Sequence, residues 1–211
     1  MEKISSINFK AQPLNNIKVQ KFCKKSKSFV PINTTFVKID AKNKYDLAAV
    51  EAAAEKWKDA KYMKKIATAS HWMNAIPIEI YALTTQEKNF NKLDYKRILG
   101  FAEMRPDNND ERFTALYYLQ VKPQAMDIFT PQTEKTYKKV GSSILTSLKK
   151  VYKNISLFSE DNTIIKMFYK KNGFINDANY NSRFLWSSSI FFKLRIYYEN
   201  LRKSLALKSY S

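Results

Sequence analysis

The sequence predicts a mixed α+β domain with a central, mostly antiparallel sheet of six to seven strands flanked by helices. Segments that alternate between apolar and polar residues, rich in β-branched and aromatic side chains, dominate the first half. A cluster of turn-forming residues, 106–110, separates two of these segments. In the second half a strand, a helix and a strand follow closely, which implies a parallel crossover and one parallel pair of strands that could splay.

In the first half, one helix interrupts the predicted strands. Asp46 is predicted to cap this helix, because Leu47, Val50 and Trp57 recur behind it at helical spacing. The pattern continues toward Trp72 as a second helix or a broken first one. Strands are predicted over residues 34–39, 77–83, 97–105 and 113–121.

Helices and short strands alternate in the second half. A helix is predicted over 142–152, and another begins at Asp161 or Asn162 and stops at Asn172-Gly173. Strands are predicted at 155–158, 174–175 and 183–187. Residues 189–207 form an amphipathic basic helix whose apolar face comprises Ile190, Leu194, Tyr197, Tyr198, Leu201 and Leu205.

Positive charge is concentrated at both ends of the 211-residue chain. Lys and Arg number 37 against 19 Asp and Glu, a net charge of +18. We therefore divide the chain into a basic, disordered tail (1–33), a central domain (34–188) and a basic helix (189–211). The tail is alternatively a docking arm for RNA, ribosome or acidic lipid. The helix packs on its own domain, on a dimer mate or on a membrane surface.

The composition excludes several classes of protein. No apolar run approaches the roughly 20 residues of a membrane-spanning helix, and residues 1–10 lack a secretory signal. The single cysteine, Cys23, cannot form an internal disulfide, which indicates a reducing, cytoplasmic location. The single histidine, His71, leaves too few ligands for a usual zinc site and is interpreted as structural, so no metal is expected.

Only three glycines are present, Gly100, Gly141 and Gly173. A chain this sparing of glycine is expected to keep each one where a side chain does not fit or where the backbone needs a positive φ.

Four segments carry the candidate chemistry: 118–123, 137–145, 155–162 and 168–174. The second places small residues at the start of a helix that follows a strand. Backbone N–H groups and the helix dipole favour an anion there, and neighbouring lysines add charge. The segment matches neither the Walker loop nor the Rossmann glycine pattern, but it suits a pyrophosphate held by a short turn.

In this order the four segments resemble the GNAT superfamily of acyl-CoA-dependent N-acetyltransferases. The resemblance covers about residues 95–176, and its most specific part is Phe168-Tyr169 followed by Gly173-Phe174. It implies acetyl-CoA as cosubstrate and Tyr169 as the general acid that protonates the leaving thiolate. The implied cosubstrate-binding residues are Leu119, Gln120 and Val121 for the pantetheine arm, Lys138, Lys139, Val140, Gly141, Ser142 and Ser143 for the pyrophosphate, and Asn162 for the pantetheine.

The phosphate-binding segment departs from the family pattern. Lys139 stands where glycine is usual, and Thr136 stands where Arg or Gln is usual. A register shifted by two residues makes Lys138 the basic residue and Ser143 the small one. We prefer the first register because Ile144-Leu145 then fits the apolar positions.

The resemblance also implies a general base, a carboxylate on the strands before the loop. Attack requires an unprotonated amine, so a carboxylate should act directly or through water. Glu103 is the first candidate and Glu79 the second; the alternative for Glu103 is a solvated strand carboxylate.

The resemblance predicts transfer of an acetyl group to a primary amine by direct attack. The partners are then acetyl-CoA and an amine-bearing acceptor, with a homodimer and polyanion contact through the basic ends as further expectations. The alternative function is a non-catalytic basic module of the same fold that binds RNA, ribosome or an acidic membrane surface.

Overall fold

The computed structural model describes residues 11–40, 43–57, 78–123, 136–177, 179–180 and 182–208. The predicted second helix with His71, the first ten residues of the predicted tail and most of the loop after Pro123 lie outside these residues. Nine strands and four helices are described in chain order: β1 (Gln12–Cys23), β2 (Ser28–Lys38), α1 (Lys44–Lys56), β3 (Glu79–Thr84), β4 (Ile98–Pro106), β5 (Thr114–Val121), β6 (Tyr137–Lys138), α2 (Val140–Val151), β7 (Asn154–Phe158), α3 (Thr163–Lys171), β8 (Ile175–Asn176), β9 (Arg183–Ser187) and α4 (Ile190–Lys208).

The chain divides into two compact units. The first comprises the residues up to Glu103 together with Leu119–Ile144, and the second comprises Met104–Tyr118 and the residues from Leu145 onward. Among the described helices, none has the length and apolar character needed to cross a bilayer.

Strands of the first unit lie in the order β6-β1-β2-β3-β4. β1 pairs antiparallel with both β2 and β6, and β2 pairs antiparallel with β3. The predicted first strand, 34–39, is the second half of β2. β1 and β6 raise the number of strands above the predicted six to seven.

Strands of the second unit lie in the order β5-β7-β9-β8. β5 and β7 are parallel, as the crossover predicted, and their register covers just two pairs, Thr114 with Ile155 and Ala115 with Ser156. β9 is antiparallel to both β7 and β8. The predicted mixed α+β class, mostly antiparallel with one splayed parallel pair, is confirmed.

The prediction of a disordered tail over residues 1–33 is wrong for the described part of that segment. β1 and β2 form a long hairpin, and Val19 is fully buried within it. In β1 the covered residues Ile17 and Val19 alternate with the exposed Asn16 and Lys18, but this period of two covers about four residues, too few to mark a strand in the sequence. The turn gave no signal either, because Lys27 adopts the positive φ of 50° that glycine or asparagine usually takes.

The cap of α1 also differs from the prediction. The side-chain oxygen of Asn43 accepts a hydrogen bond from the Tyr45 N–H (2.9 Å), so Asn43 is the N-cap. Asp46 lies in the first turn and is buried. Burial raises its pKa to about 6, against a hydrogen bond from the Asp40 N–H.

Helix α4 is present where predicted, but its apolar face is not turned toward the domain. Ile196 packs with Phe113 and Leu185, and Phe192 packs against this cluster. The six apolar residues predicted to face one way are all exposed. An amphipathic pattern specifies that a face exists, and it does not specify what that face meets.

Gly100 and Gly173 serve the two purposes expected of glycine. A Cβ at Gly100 would lie 2.7 Å from the Cδ1 of Ile144 and 2.9 Å from the Gln120 carbonyl oxygen, so β4, β5 and α2 approach one another closely here. Gly173 follows α3 with a φ of +76°, and a Cβ there would lie 3.6 Å from the Lys149 Nζ, at ordinary van der Waals contact.

We expect Gly100→Ala to lower the free energy of unfolding by about 1–3 kcal/mol, because the backbone oxygen of Gln120 cannot yield as a side chain can. Gly173→Asn should be nearly neutral, since asparagine tolerates a left-handed backbone, whereas Gly100→Asn should be worse than the alanine variant. Urea unfolding of the three variants checks this. A neutral Gly100→Ala variant would show that the contact relaxes at no cost.

Candidate functional site

The turn before α2 has the geometry of an anion site. β6 ends at Lys138, Lys139 lies outside the helix, and α2 begins at Val140. The Ser143 N–H donates to the Lys139 carbonyl (2.9 Å), which is the first hydrogen bond of the helix. The N–H groups before it have no intrahelical acceptor, and they point along the positive end of the helix dipole. We call residues 138–143 the phosphate turn.

The backbone of Lys139 adopts the conformation that a glycine would usually adopt in a turn of this kind. Its φ is +65°, a left-handed conformation that is uncommon for a residue with a Cβ. The backbone at Lys139 thus has the left-handed conformation that glycine adopts most readily. The lysine side chain is exposed, so the strained backbone also carries a positive charge at the helix start.

β1 holds the phosphate turn in place by strand pairing and a hydrogen bond. Gln20 and Lys21 pair with Lys138 and Tyr137, and the Ser143 hydroxyl donates to the Lys18 carbonyl (3.3 Å). The Lys138 ammonium lies 4.1 Å from the centre of the Phe29 ring, a cation–π contact that holds its side chain against the hairpin. The hairpin predicted to be a tail therefore positions the turn.

Two cavities of the first unit add lysines that sequence reasoning missed. One, of about 550 Å³, is lined by residues that include Lys18, Lys21 and Tyr137 and a single acidic residue, Glu87. Another, of about 430 Å³, is lined by Lys56, Lys96, Lys122, Trp57, Tyr95, Pro123, Thr136 and Tyr137. No motif marks these lysines, because they converge only through β1–β6 pairing and the approach of separate elements. Their charge favours a polyanionic ligand.

Burial within the second cavity acts directly on one lysine. It lowers the pKa of Lys122, and the nearby charge of Lys56 lowers it further. The ammonium groups of Lys56 and Lys122 repel each other, so an anion bound between them would offset this repulsion.

The end of β5 contributes the predicted strand residues. The Lys122 N–H donates to the Leu99 carbonyl (2.8 Å), which ties the end of β5 to β4. Leu119, Gln120 and Val121 are all partly buried, and the Gln120 carbonyl faces Gly100.

In the second unit, Asn162 caps α3. Its side-chain oxygen accepts hydrogen bonds from the N–H groups of Ile164 (2.9 Å) and Ile165 (3.3 Å). The cap uses only the oxygen of the carboxamide, so the amide nitrogen is the part of this side chain suited to a ligand. Of the two predicted caps, Asn162 is the one used.

Tyr169 lies on α3 within an aromatic cluster. Its ring centre is 5.2 Å from that of Phe168 and 5.9 Å from those of Phe174 and Phe184. Burial raises the pKa of Tyr169 to about 12, and the charge of Glu160 adds to this. The phenol therefore keeps its proton at neutral pH, as a general acid must.

The two candidate bases are in different environments on the neighbouring strands β3 and β4. Glu103 is completely buried on β4, so the alternative of a solvated carboxylate is wrong. Glu79 forms an ion pair with Lys38 and accepts a hydrogen bond from the Tyr81 hydroxyl (2.9 Å). The ion pair and the hydrogen bond explain why a carboxylate is present at position 79 without a role as base.

Comparisons with known proteins give similarity at the level of the fold. No family model matches the chain, and no curated protein matches it. Among solved structures, a GNAT-family acetyltransferase from Staphylococcus aureus is 16% identical, with a TM-score of 0.41 over 74% of this chain and 99% of that one. An acetyltransferase from Thermus thermophilus is 9% identical, with a TM-score of 0.45 over 69% and 92%. AtaT complexed with acetyl-methionyl-tRNAfMet is 12% identical, with a TM-score of 0.48 over 76% and 98%.

Proposed function

We propose that the protein transfers the acetyl group of acetyl-CoA to a primary amine by direct attack. The observation that carries this proposal is the phosphate turn: a glycine-type backbone at Lys139, followed at once by the start of α2. The turn lies within the four segments that resemble the GNAT superfamily. The limited register between the parallel strands β5 and β7 also suits an extended ligand that enters where strands part.

The chain offers donors and charge suited to each part of acetyl-CoA. The lysines of the phosphate turn and the N–H groups that precede Ser143 would hold the pyrophosphate, and Lys18 and Lys21 supply further charge around this polyanion. The backbone of 119–121 would hydrogen-bond the pantetheine arm, with the amide nitrogen of Asn162 as an additional donor.

The reaction needs two proton transfers. The amine nitrogen attacks the thioester carbonyl carbon, the C–N bond forms and the C–S bond breaks. Tyr169 donates its proton to the sulfur that leaves, and Glu103 accepts the proton that the amine loses, directly or through water. The other residues act by holding the reactants in place.

Binding of acetyl-CoA tests this proposal most directly. A ligand at about 100 times its Kd stabilises the protein by about 2.7 kcal/mol. Thermal unfolding should therefore shift upward with acetyl-CoA and much less with adenosine at the same concentration. The absence of any shift with acetyl-CoA would contradict the proposal, and salt-sensitive RNA binding in its place would favour the non-catalytic module.

Ser142→Glu tests the phosphate turn itself. Ser142 is the third residue of α2, where a carboxylate stabilises a helix, so the unliganded protein should unfold at the same or a higher temperature. The new charge should repel the pyrophosphate and abolish the shift with acetyl-CoA. Thr146→Glu is the matched control, because it makes the same charge change one turn later on an exposed position and should keep the shift. Retention of the shift in Ser142→Glu would place the pyrophosphate elsewhere.

A further inference from the structure

Helix α4 presents an apolar face to solvent. Seven side chains form this face, and each is between 47% and 81% exposed. At 3.6 residues per turn they lie within an arc of about 120° and extend over about 24 Å. We call this set the outer face: Ile190, Phe191, Leu194, Tyr197, Tyr198, Leu201 and Leu205.

The opposite side of α4 already holds the helix in place. Ile196 and Phe192 pack on the apolar cluster of the second unit. Asn200 donates to the Asn176 carbonyl (2.9 Å), and Lys203 donates to the Asn179 side-chain oxygen (2.7 Å). The contacts described for this attachment come from residues outside the outer face. A continuous apolar stripe of this length on a solvent-exposed surface marks a site of interaction.

Positive charge borders the outer face on both sides. On a helical projection Lys193 lies about 40° beyond one edge, and Arg202 and Arg195 lie about 20–40° beyond the other. The single acidic residue of the helix, Glu199, points away from the face and pairs with Arg195 (2.9 Å). Long basic side chains at this angle can extend outward while the apolar face is buried.

This arrangement matches an anionic bilayer surface better than a second copy of the chain. Two copies joined through the outer face would bring basic borders together, with no acidic side chain on either border to offset them. An amphipathic helix with leucine, phenylalanine and tyrosine on one face and cations beside it lies in the interface of a membrane that contains anionic lipid. The two tyrosines suit the boundary, since each has an apolar ring and a polar hydroxyl.

We propose that α4 docks the protein on membranes that contain anionic lipid, with the outer face in the acyl–headgroup boundary and Lys193, Arg195 and Arg202 at the headgroups. This inference is independent of the proposed acetyl transfer.

Sedimentation with vesicles tests the proposal on the full chain. Vesicles of phosphatidylcholine with phosphatidylglycerol should bind the protein, and vesicles of phosphatidylcholine alone should bind it about a hundredfold more weakly, because Lys193, Arg195 and Arg202 all lose their anionic partners. Leu194→Ser/Leu201→Ser should weaken binding to the mixed vesicles by at least about tenfold, because two apolar side chains no longer enter the boundary. Arg202→Gln should weaken it about fivefold.

The matched control is Ile164→Ser/Met167→Ser, which removes an exposed apolar pair from α3 and should leave vesicle binding unchanged. Circular dichroism checks that all variants fold. Failure to bind mixed vesicles would overturn the proposal, and so would unchanged binding by Leu194→Ser/Leu201→Ser, since general basic charge would then explain the association. A lipid-free dimer dispersed by this variant would also overturn it, by making a second copy the occupant.

Discussion

Replacement of Tyr169 by phenylalanine should lower the rate of acetyl transfer about 100-fold while binding of acetyl-CoA is retained. General acid catalysis contributes about 10²–10⁴-fold, and the leaving thiolate of coenzyme A is a moderately good leaving group, so we expect the lower end. The fold should be unaffected, because phenylalanine fills the same place among Phe168, Phe174 and Phe184. Steady-state rates with a panel of amines and thermal shifts with acetyl-CoA measure the two effects separately.

The pH dependence provides a second readout for Tyr169. Its pKa of about 12 means that the phenol remains protonated well above neutral pH. The wild-type rate should therefore not fall through loss of this proton until the pH approaches that value. A decline near pH 8–9 that disappears in Tyr169→Phe would show a phenol with a much lower pKa.

Tyr180→Phe is the control for this experiment. Tyr180 lies in the same unit, is exposed and packs edge-on to Phe158, so its hydroxyl should not affect the rate. An equal loss in both variants would indicate a general effect of tyrosine removal. Full activity in Tyr169→Phe would exclude Tyr169 as the acid.

Elements whose ends are marked by nearby capping or turn residues were predictable from the sequence. The start of α3 follows from Asn162 and its end from Gly173, because a capping amide and a left-handed glycine are local signals. The parallel arrangement of β5 and β7 followed from a strand, helix and strand in close succession. These signals lie within a few residues of the feature that they predict.

Features that depend on distant residues were not predictable. The β1–β2 hairpin turns without glycine, so nothing marked its tip, and the β1–β6 pairing that brings Lys18 and Lys21 toward the phosphate turn joins residues more than 100 positions apart. For a related reason the sequence left open which surface the apolar face of α4 meets. Ile196 and Phe192 pack on the second unit, and the larger apolar stripe of the helix remains exposed.

The ion-pair cluster around Arg183 also joins residues that are distant in the sequence, so the sequence did not predict it. Its removal should have the largest effect on stability. Arg183 donates to Asp107 (2.6 Å) and to Asp177 (3.1 Å), and all three side chains are buried. Asp107 also accepts from the Ser156 hydroxyl (2.5 Å). Burial works to raise the pKa of Asp107, but the hydrogen bonds from Ser156, the Asn109 N–H and Arg183, with the charge of Arg183, hold it below its usual value.

We expect Arg183→Met to lower the free energy of unfolding at pH 7 by about 3–5 kcal/mol, because two buried carboxylates then lose their counter-charge. Urea unfolding of the variant and of Arg183→Met/Asp107→Asn measures this. The double variant should recover part of the loss, since it leaves one buried charge fewer. No recovery would show that the loss arises from packing around the guanidinium.

The sign of the pH dependence separates charge from packing. In the wild type the pKa of Asp107 is lower in the folded than in the unfolded state, so its contribution is present above the unfolded pKa of about 4 and is lost as pH falls through the folded value. In Arg183→Met the guanidinium no longer opposes the effect of burial, so the pKa of Asp107 in the folded state should rise above its pKa in the unfolded state. As pH falls from 7 toward 4.5, Asp107 in the folded variant takes up a proton and its uncompensated buried charge is removed. The difference in unfolding free energy between wild type and variant should therefore shrink over this range. A difference that stays constant would show that the guanidinium contributes by filling space rather than by its charge.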